Sequence, residues 1–144
     1  MARFDISDFD RYAFDFNELA NLPDSVIEEM LEAEGAIIRN AQSDSAKSML
    51  QGPYYKGGVA EAATLGKIKR TANGKKVYVT FEGTQHGTRI AEIAFINEFG
   101  KGEPGKKNYQ PARPFIWTAN ESHADEAVDA AAKIYDNYLK SKGL

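Results

Sequence analysis

The chain has 144 residues, 42% of them hydrophobic and 27% charged, an ordinary globular composition with enough length to bury a core unaided by metals or disulfides. Eighteen basic residues against 21 acidic ones leave a formal charge of −3, too mild to imply a nucleic-acid or membrane-surface partner. There is no cysteine, so disulfides, thiolate chemistry and cysteine–metal sites are excluded, in keeping with assembly in a reducing cytoplasm.

Residues 1–22 read as an N-terminal arm. The first eleven residues are acidic and interrupted, unlike a signal peptide, and no stretch approaches the apolar length of a membrane span. In the arm, Phe4, Ile6, Phe9, Tyr12, Phe14, Phe16 and Leu19 alternate with Asp5, Asp8, Asp10, Asp15 and Glu18. That many aromatic rings are not expected to stay bare in water. The arm is either a flap on its own core or a strap that docks on a neighbouring subunit.

Residues 23–144 are expected to form one domain. Val26, Ile27, Met30, Leu31, Ile37, Ile38 and Ala41 recur at helical spacing and predict a helix over about 23–50. Pro23 suits its first turn, Ser25 and Glu28 have capping-box spacing, and Gly52-Pro53 ends it. Residues 51–63 read as a loop, with Tyr54 and Tyr55 between strong breakers. Three strands are predicted next, over about 65–71, 75–83 and 88–95. Asn73-Gly74 serves as the first turn, and Gly83-Thr84-Gln85-His86-Gly87 as the second. After a Gly-, Lys- and Pro-rich loop over 101–110, a second helix is predicted over about 114–142. Phe115, Ile116, Ala119, Ala127, Val128, Ala131, Ile134, Tyr135, Tyr138 and Leu139 form its core face, and Gly143 stops it. The order arm-α-β-β-β-α predicts an α+β fold, with two long helices covering a three-stranded antiparallel meander.

Chemistry is hard to find in this sequence. His86 sits in a turn and His123 in a helix-surface context, and neither belongs to a ligand motif. There is no Gly-x-Ser-x-Gly elbow. The carboxylates lie mostly on the arm and the outer helix faces, where solvated charge is the default, although an acid–base pair among them stays open. Gly57-Gly58 follows a helix and lacks a phosphate-loop pattern. Lys67, Lys69, Arg70, Lys75 and Lys76 crowd the first hairpin, beside a Tyr78 able to stack on a base. A lysine-rich edge is also an ordinary defence against edge-to-edge pairing. A nucleic-acid-binding module built on the Lys67–Lys76 hairpin is therefore the alternative reading of function.

The most informative stretch is Arg89-Ile90-Ala91-Glu92-Ile93-Ala94-Phe95-Ile96-Asn97-Glu98-Phe99-Gly100, followed after a loop by Gln110-Pro111-Ala112-Arg113-Pro114-Phe115. It resembles the signature of the phage gene-product-ten-like morphogenesis family, whose members are tail-completion or head–tail joining neck proteins. In that family a strand ends in an acidic-aromatic-glycine step, a variable loop follows, and a Pro-Ala-Arg-Pro-Phe turn opens the last helix. The resemblance spans about residues 23–139. The family's usual Thr-Gly-x-Leu step is only loosely matched by residues 54–66.

The resemblance implies structural roles for Glu98, Phe99, Gly100, Pro111, Ala112, Arg113, Pro114 and Phe115. Gly100 permits a turn that a β-carbon resists, the prolines stiffen the start of the helix, and Phe115 anchors it. Arg113 offers a planar fork of donors to Glu98 or to a neighbour's carboxylate. No catalytic residue, metal or cofactor is expected. The implied partners are further copies of the chain in a ring, a tail-tube or tail-terminator protein, and a head-side connector; no membrane partner is expected, and the acidic overall charge speaks against nucleic acid. The implied location is the virion, after assembly in the bacterial host's cytoplasm. Phe4, Phe9, Tyr12, Phe14, Phe16, Tyr54, Tyr55, Lys101, Lys106 and Lys107 are the expected subunit contacts.

Overall fold

The computed structural model of the protein describes residues 22–52 and 58–143. The arm, with Phe4, Phe9, Tyr12, Phe14 and Phe16, and the loop residues Tyr54 and Tyr55 lie outside the described residues.

Helix α1 (Asp24–Met49) begins at Pro23, which caps it without a side-chain hydrogen bond; its carbonyl accepts from Val26 and Ile27 N–H at 3.0 and 3.2 Å. The Ser25–Glu28 spacing does not act as a capping box: Ser25 already lies inside the helix, and Glu28 accepts from Lys75. A single helical turn, α2 (Val59–Ala62), leads into strand β1 (Ala63–Leu65). Then come β2 (Lys69–Thr71), β3 (Gly74–Lys76), β4 (Val79–Phe81), β5 (Thr84–Gln85) and β6 (Thr88–Arg89). They are followed by helix α3 (Ile90–Phe99), and the described chain closes with helix α4 (Phe115–Ser141). Gly143, with φ +78°, stops α4 as expected.

The fold is α+β, with long helices and small antiparallel sheets of two strands each. Strands β1 and β4 pair with Thr64 opposite Thr80, and β2 and β3 pair with Arg70 opposite Lys75. These are two ends of one long hairpin, interrupted between them and bridged there by Gly66 N–H to the Tyr78 carbonyl at 2.8 Å. Its tip is turned by Ala72-Asn73, one residue earlier than expected, with Gly74 in the first paired position. The short β5–β6 hairpin turns at His86 and Gly87, both at positive φ.

The predicted third strand is a correction. Of the predicted strand over 88–95, Thr88–Arg89 pair with Thr84–Gln85 while residues 90–99 are helical, so among the described residues no sheet has a third strand. The reason lies in the pattern. Strand alternation would put Glu92 and Glu98 on the same face as Ile90 and Ile96. Helical periodicity gathers Ile90, Ile93, Ala94 and Asn97, all buried, on one face.

The two long helices run antiparallel, since Ser45 meets Phe115, Gln42 meets Asn120 and Met30 meets Ala131. Small buried residues, Ala41, Ala119, Ala127 and Ala131, line the seam between them. At one end Leu22, Val26, Ile134 and Leu139 pack around Met30, Ala131 and Tyr135. At the other, Ala46, Leu50, Val59, Ala60, Ile90, Ile93, Ala94 and Phe115 form a second cluster. The Phe81 ring meets Phe115 edge-on at 5.7 Å. The hairpin crosses α1 at Gly35, where an added β-carbon would lie 2.5 Å from a Leu65 methyl.

Candidate functional site

The signature residues converge on one joint between α3 and α4. Gly100 ends α3 with φ +76° and ψ 179°, a conformation that essentially only glycine adopts. Its space is closed as well: a β-carbon there would sit 2.8 Å from both the Ala112 nitrogen and the Gln110 oxygen. The returning chain, Gln110 to Ala112, thus passes directly against Gly100.

Glu98, buried at 7% exposure, fills the role left open by a proline-capped helix. Its carboxylate accepts the N–H of Ile116 at 2.7 Å and of Trp117 at 3.0 Å. Those are donors of the first turn of α4, which have no partner within the helix, and a negative charge there also opposes the positive helix end. Phe115 is fully buried.

Arg113 does not pair with Glu98, contrary to one of the expectations. Its guanidinium donates to Asn97 Oδ1 and to the Gln51 carbonyl, each at 2.6 Å, while its backbone N–H donates to the Asn97 carbonyl at 2.6 Å. The Glu98 oxygens are already taken by helix amides, so the fork turns to neutral acceptors. Buried Asn97 is the unexpected member of the joint. It accepts twice from Arg113 and donates its own amide to the Ile93 carbonyl at 2.9 Å. Through Gln51 the same arginine ties in the end of α1.

Between the two halves of the joint, residues 101–110 form a loop closed at its base. Lys101 and Gln110 exchange two backbone hydrogen bonds, 2.9 and 2.8 Å. Lys101, Lys106 and Lys107 are exposed on it. An open groove of about 500 Å³ runs beside the loop, where His86, Glu92, Lys101 and Gln110 supply polar lining and Ile93 and Ile96 the apolar part.

Exposed aromatic residues stand next to the joint. Phe95 and Phe99 on α3 are 61% and 67% exposed, and their rings pack on each other at 4.8 Å. Trp117, 62% exposed, lies in the first turn of α4. The sequence hides this ledge, because Phe95 reads equally as the inward residue of a strand.

The lysine-rich hairpin is partly neutralised. Arg70 reaches Asp24 at 2.8 Å, and Lys75 reaches Glu28 at 2.6 Å and Asp24 at 3.5 Å. The hydrogen bond with Glu28 and the acids around it push the Lys75 ammonium above its ordinary pKa. Lys76 lies over the Tyr78 ring at 4.9 Å and pulls the phenol below its ordinary pKa. Two of the five cations that suggest nucleic-acid binding thus hold the hairpin on α1.

Among the described residues no cluster of histidines and acids suits a metal ion, and no helix is long and apolar enough to cross a membrane. His123 is bonded within its own helix, to the Ala119 carbonyl at 3.1 Å. No protein family, curated protein or solved structure matches the chain.

Proposed function

We propose that this chain is a structural morphogenesis protein of a phage neck or tail top, and not an enzyme. Copies assemble as a ring, complete the tail and join it to the head-side connector. The observation that carries this reading is the joint of Glu98, Gly100, Arg113 and Phe115. These signature residues, set apart in sequence by a loop, meet around one helix start. Each is engaged in holding the backbone: Glu98 caps α4, Gly100 admits the returning strand of chain, Arg113 fastens it to Asn97 and Gln51. Side chains so committed suit a scaffold, with the exposed loop between them free to vary with its neighbours.

Closed cyclic symmetry is the usual way identical subunits build a finite collar. The subunit contacts fall to the aromatic arm, to Tyr54 and Tyr55, and to Lys101, Lys106 and Lys107. A tail-tube or tail-terminator protein and the head connector are the other partners. The location is the virion, after assembly in the bacterial host's cytoplasm.

The test is deletion of the gene from the phage or prophage that carries it, followed by induction and negative-stain electron microscopy of the lysate. Filled heads beside unattached tails are the expected result, and defective tail tops would narrow the role to tail completion. Normal infectious particles would remove the neck assignment.

A further inference from the structure

The outward side of α3 differs from those of its neighbours. Helices α1 and α4 present Glu29, Glu32, Asp44 and Glu121, Asp125, Asp129 to water, as surface helices do. On α3 the corresponding positions are Ala91, Glu92, Phe95 and Phe99. Two large rings more than three-fifths exposed and packed on each other at a tilt are costly to leave wet. Trp117 adds a third exposed ring, its backbone hydrogen-bonded to Glu98, the residue beside Phe99. Directly after α3 come Lys101, Lys106 and Lys107 against a single acid, Glu103.

We infer that this ledge receives the aromatic arm of a second copy of the chain, with Phe14 and Phe16 against Phe95 and Phe99. The inference deepens the ring reading by naming one of its contacts, and rests on that reading in needing a second copy. Charge favours the match. Residues 1–21 carry five acids, Asp5, Asp8, Asp10, Asp15 and Glu18, against two arginines, and the loop beside the ledge is basic.

For Phe14 and Phe16, the arm rings nearest the described structure, reach favours the second copy over the arm's own chain. The arm leaves the described structure at Leu22, which packs with Met30 and Tyr135 at the start of α1. The ledge belongs to the opposite end, where α3 packs with Ala46, Leu50 and Phe115. From Asp24 to Ser45 the helix rises about 32 Å. Phe16 and Phe14 precede Leu22 by six and eight residues, spanning at most roughly 20 and 28 Å when fully extended. Both spans are shorter than that rise, a limit that Phe4 and Phe9, further along the arm, do not share.

The experiment uses the full chain with the photo-crosslinker p-benzoylphenylalanine in place of Phe95. Samples of ¹⁴N and ¹⁵N protein are mixed, irradiated over a concentration series and mapped by mass spectrometry. The expected product joins position 95 of one isotope to residues 4–16 of the other. Its yield falls by about tenfold or more when F14S/F16S is introduced, because interface aromatics carry most of the binding energy. Crosslinks confined to one isotope would overturn the inference in favour of the arm's own chain. Crosslinks to any other segment, no crosslink at all, or a yield indifferent to F14S/F16S would overturn it outright. The readout uses purified protein, so it stands or falls separately from the gene deletion: normal particles with a mapped arm–ledge crosslink would remove the neck role and leave the interface.

Discussion

At the scale of single residues, the joint depends on one atom that is missing. A β-carbon at Gly100 would meet backbone on the opposing chain, and backbone cannot swing aside as a side chain can. Gly100→Ala is therefore expected to cost about 2–3 kcal/mol or more, from strain and displacement of residues 110–112. Gly105→Ala, at a loop position with nothing near the added carbon, is expected to cost about 1 kcal/mol or less. Urea unfolding of both variants checks the contrast. The turn at Gly100 and the anchor at Phe115 were legible in the sequence because they follow from residue type: a glycine closing an acidic-aromatic-glycine step, an aromatic directly after a proline. The partners of Arg113 were not. A guanidinium donates to carbonyl and amide oxygens as well as to carboxylates, and nothing in the order of residues reveals that the Glu98 oxygens are spent on the amides of Ile116 and Trp117.

At the scale of elements, residues 90–99 carry the main lesson. A ten-residue apolar run fits a buried strand or a short helix, and the preceding hairpin pattern tips a reader toward a strand. The helix and strand readings part at two residues. In a strand, Ile93 and Phe95 share a face and matter alike; in α3, Ile93 is buried and Phe95 exposed. Ile93→Ala is expected to cost about 2–4 kcal/mol, whereas Phe95→Ala is expected to change stability by less than about 0.5 kcal/mol in the monomer, measured by chemical denaturation. The two long helices were readable to within a residue or two because their stripes persist for several turns and because Pro23, Gly52-Pro53, Pro114 and Gly143 mark their ends. The hairpin was readable too, but not its fastening to α1, since Lys75 and Glu28 are 47 residues apart. Lys75→Met is expected to speed amide exchange in β2 and β3. The Lys75 pKa is raised in the fold, so this support is complete below the ordinary lysine value of 10.5 and fades as pH rises through the raised one. The exchange difference between wild type and variant should shrink over the same interval.

At the scale of the whole molecule, one half-buried acid sets a pH dependence. Burial pushes the Glu34 carboxyl above its ordinary value of 4.5, so the fold binds its proton more tightly than the unfolded chain does. The resulting penalty is absent below pH 4.5, appears as pH rises toward the raised value and is complete above it. Glu34→Gln is expected to stabilise the protein at pH 7, by less than about 1 kcal/mol because solvent still reaches the group, and to have no stabilising effect below pH 4. Thermal melts at the two pH values decide this. The Lys101–Gln110 bridge has a different kind of consequence. Because two backbone hydrogen bonds pinch the loop shut at its base, the joint on one side is insulated from the length of chain on the other. Doubling a flexible loop costs only about 0.6 kcal/mol of closure entropy. A ten-residue epitope spliced in after Gly105 should leave the melting temperature within a few degrees of wild type, giving the protein a handle for labels.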